Sequence, residues 1–167
     1  MDWGTFELPN VPAIVTLPER RYWRARERGT FVELEHNASG SRITLRAWRA
    51  ARLVRPRECE AEARLARPDL PRTTPETELE HTRVDYPEGF DAELSVGVEP
   101  DADGARGHAT LVGAATGRCL FVAFETVARG SVAAVHVADR LTIAVDGILP
   151  RVQIPSVDAR VGSGPDE

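Results

Sequence analysis

Lysine is absent: all 21 basic residues are arginine. A P-loop places a lysine amine on its phosphates, and Schiff-base chemistry, pyridoxal phosphate enzymes included, needs an amine nucleophile. Both classes are therefore excluded. Arginine-codon preference in a GC-rich genome accounts for the bias, and the chemical consequence holds whatever the cause. Ligand spacing is missing too. His36, His81, His108 and His136 are scattered, with no His-x-x-x-His or Cys-x-x-Cys arrangement to hold zinc. Ser39-Gly40-Ser41 lacks the Gly-x-Ser-x-Gly context of a hydrolase elbow and reads as a turn. Asp101 and Asp103 meet Gly104 too early for a calcium loop, and its closing Glu is missing. No catalytic residue, metal or cofactor is expected on these grounds. Long apolar runs are also lacking: none approaches the ~18 residues of a membrane-spanning helix. Met1-Asp2-Trp3-Gly4 has neither the basic nor the apolar part of a leader, which favours the cytoplasm. A chain whose leader had been removed would look the same, so the periplasm or cell envelope is the alternative.

Cysteine is scarce, with Cys59 and Cys119 alone, 60 residues apart. If the elements carrying them meet, an oxidising compartment would bridge them; in the cytosol they would be two small buried residues. The sequence leaves the two states open. Arg55 and Arg57 beside Cys59, near a helix start, would favour a thiolate, but no nearby motif supplies a base.

What is present is an ordinary globular composition, and 167 residues suffice to bury a core in one domain, read here as residues 1–155. From Ser156 the chain is small and polar, and 156–167 is expected to be a flexible tail. Charge divides along the chain. Residues 1–75 hold 14 arginines against 10 acids; residues 76–167 hold 7 against 16. Alternation of strands from the two halves would neutralise this locally. The other reading is a basic patch of Arg20, Arg21, Arg24, Arg26 and Arg28 beside Tyr22 and Trp23, the mixture that grips phosphates and stacks bases. Glu19, Glu27 and the acidic total argue against nucleic acid as the partner.

Gly117 to Leu149 fixes the fold class. Leu120, Val122 and Phe124 point to one side of a strand and Cys119, Phe121 and Ala123 to the other, so both sides are covered. Arg129-Gly130 turns, Ser131 is the predicted N-cap, and one helix is predicted to run to Pro150. Its stripe is Ala134, Val137, Ala138, Leu141, Ala144, Val145, Ile148 and Leu149. Earlier, Phe6 to Thr16 reads as short extended pieces, and Tyr22 to Arg28 as a strand or irregular segment. Phe31–His36 and Arg42–Trp48 alternate around Asn37–Gly40 as a β-hairpin, with Phe31 or Val32 and Leu34 facing Ile43 and Leu45. Arg55 to Ala66 predicts a helix burying Cys59, Ala63, Leu65 and Ala66, and prolines 68, 71 and 75 follow as a stiff connector. Glu78–Tyr86, Ala92–Glu99 and His108–Ala114 supply further strands.

This layout resembles the PsbP-like fold, which PsbP shares with DcrB-type lipoproteins. The matching residues are Phe6-x-Leu-Pro9, Val15-Thr-Leu-Pro18 with Trp23, the Phe31–Trp48 hairpin, the proline-flanked helix around Cys59, and the closing helix Val132 to Leu149. Arg57-Glu-Cys-Glu60 with Ala66-Arg-Pro-Asp-Leu-Pro71 is also similar to predicted lipoproteins of myxobacterial type. The resemblance implies an α+β domain: an antiparallel sheet of about six to eight strands between helices, an α/β/α sandwich. It also implies a binding or scaffolding role, since members act as extrinsic subunits, secretion-associated chaperones or envelope proteins. The expected function is thus a non-enzymatic accessory protein engaging a protein partner through its sheet face or a groove at Tyr22, Trp23 and Trp48. A small enzyme with a site at Cys59 or a His/Asp pair assembled by folding is the alternative. An arginine-based phosphate or nucleic-acid binder is the third reading.

Overall fold

The structure is a computed structural model describing residues 1–8 and 11–155. Pro9 of the Phe6-x-Leu-Pro9 stretch and the expected tail at 156–167 lie outside the described residues. Trp3–Glu7 (β1) and Ile14–Pro18 (β2) pair antiparallel as a separate two-stranded sheet. Trp23–Arg28 (β3), Phe31–His36 (β4), Arg42–Arg49 (β5), Glu78–Val84 (β6), Asp91–Asp101 (β7), Gly104–Ala115 (β8) and Arg118–Arg129 (β9) form a 7-stranded sheet. Its order is β3-β4-β5-β9-β8-β7-β6, every pair antiparallel. Pro56–Ala66 (α1) and Ala133–Ile143 (α2) lie on its opposite faces. This is the α+β class expected from the sequence.

The two-sided burial of β9 explains its place, for it is the fourth of seven strands and Leu120 through Phe124 are all buried. Leu120, Val122 and Phe124 face α2, joined by Leu34, Ile43, Leu45, Leu94 and Leu111; Val15 and Leu17 of the small sheet close the same core. In the hairpin Val32, not Phe31, pairs with Leu45 on this side. Close approach of α2 depends on Gly107, where a Cβ would stand 2.5 Å from Val137 Cγ1. Cys119, Phe121 and Ala123 face α1 together with Phe31, Val112 and Ala114.

Several expectations are corrected. Val132, not Ser131, is the N-cap of α2, without a side-chain cap. The predicted single rod changes character: after Ile143 it widens to a π-helical turn over Ala144–Ile148 and ends as a 3₁₀ turn, Leu149–Arg151. Gly147 in the π turn lies against the Trp3 ring, and a Cβ there would stand 2.6 Å from it, so the ring's close approach depends on glycine. Ala134 and Ala138 are exposed; the buried stripe is Ala133, Val137, Leu141, Ala144, Ile148 and Leu149. On α1 only Pro56, Cys59 and Ala63 are buried, while Leu65 is 84% exposed and Leu70 of the connector fills that space. Strands of the two halves do not alternate either. β3–β5 form one flank and β6–β8 the other, so the strands of the arginine-rich and acid-rich halves stay apart across the sheet.

Candidate functional site

Cross-strand pairing sets the sides on which the aromatic residues fall. Trp23 is opposite His36 and therefore faces α2; Trp48 is opposite Cys119 and faces α1. They share no groove. Trp23 is 4% exposed and donates its indole N–H to Pro18 O at 2.8 Å, which makes it a core residue with a satisfied polar end. Trp48 is half-buried, with the Arg46 guanidinium 4.2 Å above its ring. Tyr22 is exposed and meets His36 edge-on, 5.8 Å between centroids.

The cysteines meet: Cys59 and Cys119 are bonded at 2.07 Å, joining α1 to the central strand, and both are buried. A bonded, buried sulfur offers no thiolate, so Cys59 is no nucleophile here. The arginine patch divides. Arg20 and Arg21 lie in a 3₁₀ turn, Arg20–Tyr22, while Arg24, Arg26 and Arg28 share the α1-side face of β3. Arg20 lies over the Phe6 ring and donates to Thr5 O. Arg26 and Arg28 both hold Glu33, at 2.8 and 3.3 Å, and Arg67 from beyond α1 donates to the same carboxylate. Burial pushes the Glu33 pKa up, but the hydrogen bonds and charges of Arg67 and Arg26 outweigh it and bring it down to about 2. Elsewhere on this face His108 is buried against Thr73, Nε2 to Oγ1 at 2.8 Å, and desolvation lowers its pKa. His81 stands 3.4 Å from Glu78 and 3.6 Å from Glu93. Among the described residues no group of three or more His, Cys, Asp or Glu is close enough to hold a metal ion.

Opposite, at the end of the α2 face, sequence reasoning missed a site. Strand alternation turns His36 inward with Leu34 and Val32, and Ser41 inward with Ile43. Phe124, Thr126, Ile143, Ile148 and Arg140 approach from β9 and the second helix. Between them lies a cavity of about 150 Å³, bordered also by Met1, Pro18 and Glu19. Its polar floor is a continuous chain of hydrogen bonds. Glu19 Oε2 lies 3.0 Å from His36 Nε2, and His36 Nδ1 lies 2.8 Å from Ser39 Oγ. Ser39 Oγ donates to Ser41 Oγ at 2.8 Å, and Ser41 Oγ to Thr126 Oγ1 at 3.0 Å. Arg140 Nη1 completes the chain by donating to Thr126 Oγ1 at 3.1 Å. The Ser39 backbone N–H also points at His36 Nδ1, at 3.1 Å.

Glu19 is held for this contact in a left-handed backbone, φ 53° and ψ 46°, the one non-glycine residue of positive φ among the described residues. That conformation costs about 1–2 kcal/mol in an L-residue and persists where surroundings enforce it. One wall of the cavity is apolar and the floor is polar with a carboxylate at one end and a guanidinium at the other. Such a site suits a small group with an apolar part and a hydrogen-bonding end. The legible signal was His36 at an inward position of the hairpin; Glu19, Thr126 and Arg140 come from far along the chain.

No family model matches the chain, and no curated protein matches it. A solved structure does: the crystal structure, at 1.50 Å, of a protein from Bacteroides thetaiotaomicron VPI-5482, over 92% of this chain, with a TM-score of 0.55 and 10% identity. The match covers 49% of that protein, so the chain spans about half its length. At this identity the likeness shows the fold alone.

Proposed function

We propose that the chain is a non-enzymatic binding or accessory protein that engages a protein partner at the cavity beside Trp23 and His36. The observation that carries this is the cavity's construction: an apolar wall and a fixed polar floor open at the rim of the core face that α2 covers. Each polar side chain there is already oriented by a neighbour, so a bound group meets a preorganised floor that costs little to order. The PsbP-like layout, with its extrinsic and chaperone members, supports the same reading. So does the bonded Cys59–Cys119 pair for the compartment: it favours the periplasm or envelope over the cytoplasm. No helix is long and apolar enough to cross a membrane among the described residues. A photo-crosslinking residue at Ser39 should give one discrete protein adduct, and the same residue at Thr82, on the far edge, should give none. Equal labelling at both positions, or none at either, would refute the reading.

The Glu19–His36–Ser39 arrangement favours a second reading, acyl transfer with Ser39 as nucleophile, His36 as base and Glu19 orienting the ring. A fluorophosphonate probe decides between them: covalent capture at Ser39, lost in His36→Ala, belongs to the enzyme, and an inert Ser39 to the binding protein.

A further inference from the structure

We propose that the outer side of β3 receives an extended acidic segment of the partner, which adds to the sheet as an eighth strand. This rests on the protein-binding reading above and names the chemistry of what binds. β3 ends the sheet, and among the described residues no strand pairs with its outer side. A bare strand edge presents unpaired N–H and C=O groups and is a template for strand addition. From Arg24 to Arg28 every residue is exposed, and the register against β4 runs without interruption from Trp23↔His36 to Arg28↔Phe31. The other edge of the sheet differs. β6 carries a bulge between Glu78 and Glu80, which sends the two acids to opposite faces and spoils a regular ladder.

Charge selects the occupant. Arg24, Arg26 and Arg28 fall two residues apart on one face, and side chains of an added strand repeat with the same period about 4.8 Å away. Their own face neutralises them only in part: Glu35 stands opposite Arg24 in the register, and three guanidiniums converge on one further carboxylate. Glu33 is shared between Arg26, Arg28 and Arg67, and Arg24 donates to the backbone oxygens of Arg21 and Trp23. Arg26 and Arg28 keep 63% and 55% of their side-chain surface in solvent. A segment with Glu or Asp at alternate positions would set a carboxylate beside each guanidinium. Its end would reach the cavity, because Trp23, which begins β3, lines that cavity together with its strand partner His36.

The test is fluorescence anisotropy of the full, oxidised chain with a labelled eight-residue peptide alternating Glu and Val. Saturable binding is expected, weakening with salt, and Arg24→Glu should reduce it by roughly tenfold or more. Arg24 is chosen because it takes no part in holding Glu33. A peptide of identical charge, N-methylated at alternate residues to block its backbone donors, should lose a similar factor. Equal binding of the N-methylated peptide would overturn strand addition, as would indifference to Arg24→Glu. Tighter binding of a single-stranded oligonucleotide than of the peptide would overturn the choice of an acidic protein segment. The peptide titration reads the edge and the Ser39 cross-link reads the cavity, so each reading fails by its own measurement.

Discussion

The two faces of the sheet are closed by different means. On one, α2 and the β1–β2 hairpin press large apolar side chains onto Leu34, Ile43, Leu45, Leu111 and Val122, and no covalent tie is needed. On the other, α1 brings only Cys59 and Ala63 as buried apolar contacts beyond its first-turn proline, too little area to hold eleven residues of helix on its own. There the disulfide and the Arg67–Glu33 pair supply what packing does not. A thin helix is kept in place by bonds, a thick one by burial.

The comparison breaks most directly at Trp23. Trp23→Ala should cost about 3–5 kcal/mol in urea denaturation, since it opens a cavity in the packed face and orphans Pro18 O. Trp48→Ala, from a half-buried position on the other face, should cost less. Removal of the cross-link by Cys59→Ala with Cys119→Ala frees a 60-residue loop and should cost about 4 kcal/mol. Hydrogen exchange sharpens the contrast: in that variant residues 56–66 should lose protection well before residues 133–143. Glu33→Gln should cost about 3 kcal/mol, leaving Arg67 buried beside a neutral amide.

Acid titration reads the same carboxylate. Its pKa is about 2 folded against 4.5 unfolded, so its contribution is complete above pH 4.5 and disappears as pH falls toward 2. The smallest effect belongs to His108. Burial holds its pKa below 6.5, so the unfolded chain takes up the proton first and stability declines as pH drops below 6.5. His108→Gln, retaining a partner for Thr73, should flatten that part of the pH–stability curve.

Local pattern made much of the fold legible. Apolar residues on both sides of β9 announced a central strand, and alternation in 31–36 and 42–48 announced the hairpin, though not which of Phe31 and Val32 meets Leu45. Where charge masks periodicity, reading fails: five exposed residues follow Trp23 in β3, so nothing nearby reveals that its indole turns into the core. Strand order is similarly hidden, because it is decided by which edge β9 joins, and that is a matter of long-range packing. The cavity floor combines Glu19, His36, Ser39, Ser41, Thr126 and Arg140, and only the serines and His36 are near one another in sequence. Its chemistry is a product of topology, invisible to any short motif.

The β5–β9 seam within the sheet also governs the chain's assembly. Ile43 finds its neighbour only at Phe124, so β5 stays a bare edge until synthesis has passed that point and β9 can slot in. Nascent chains that pause earlier carry two unpaired rims, and closing the sheet must bring together segments some eighty residues apart, a slow step by its sequence separation.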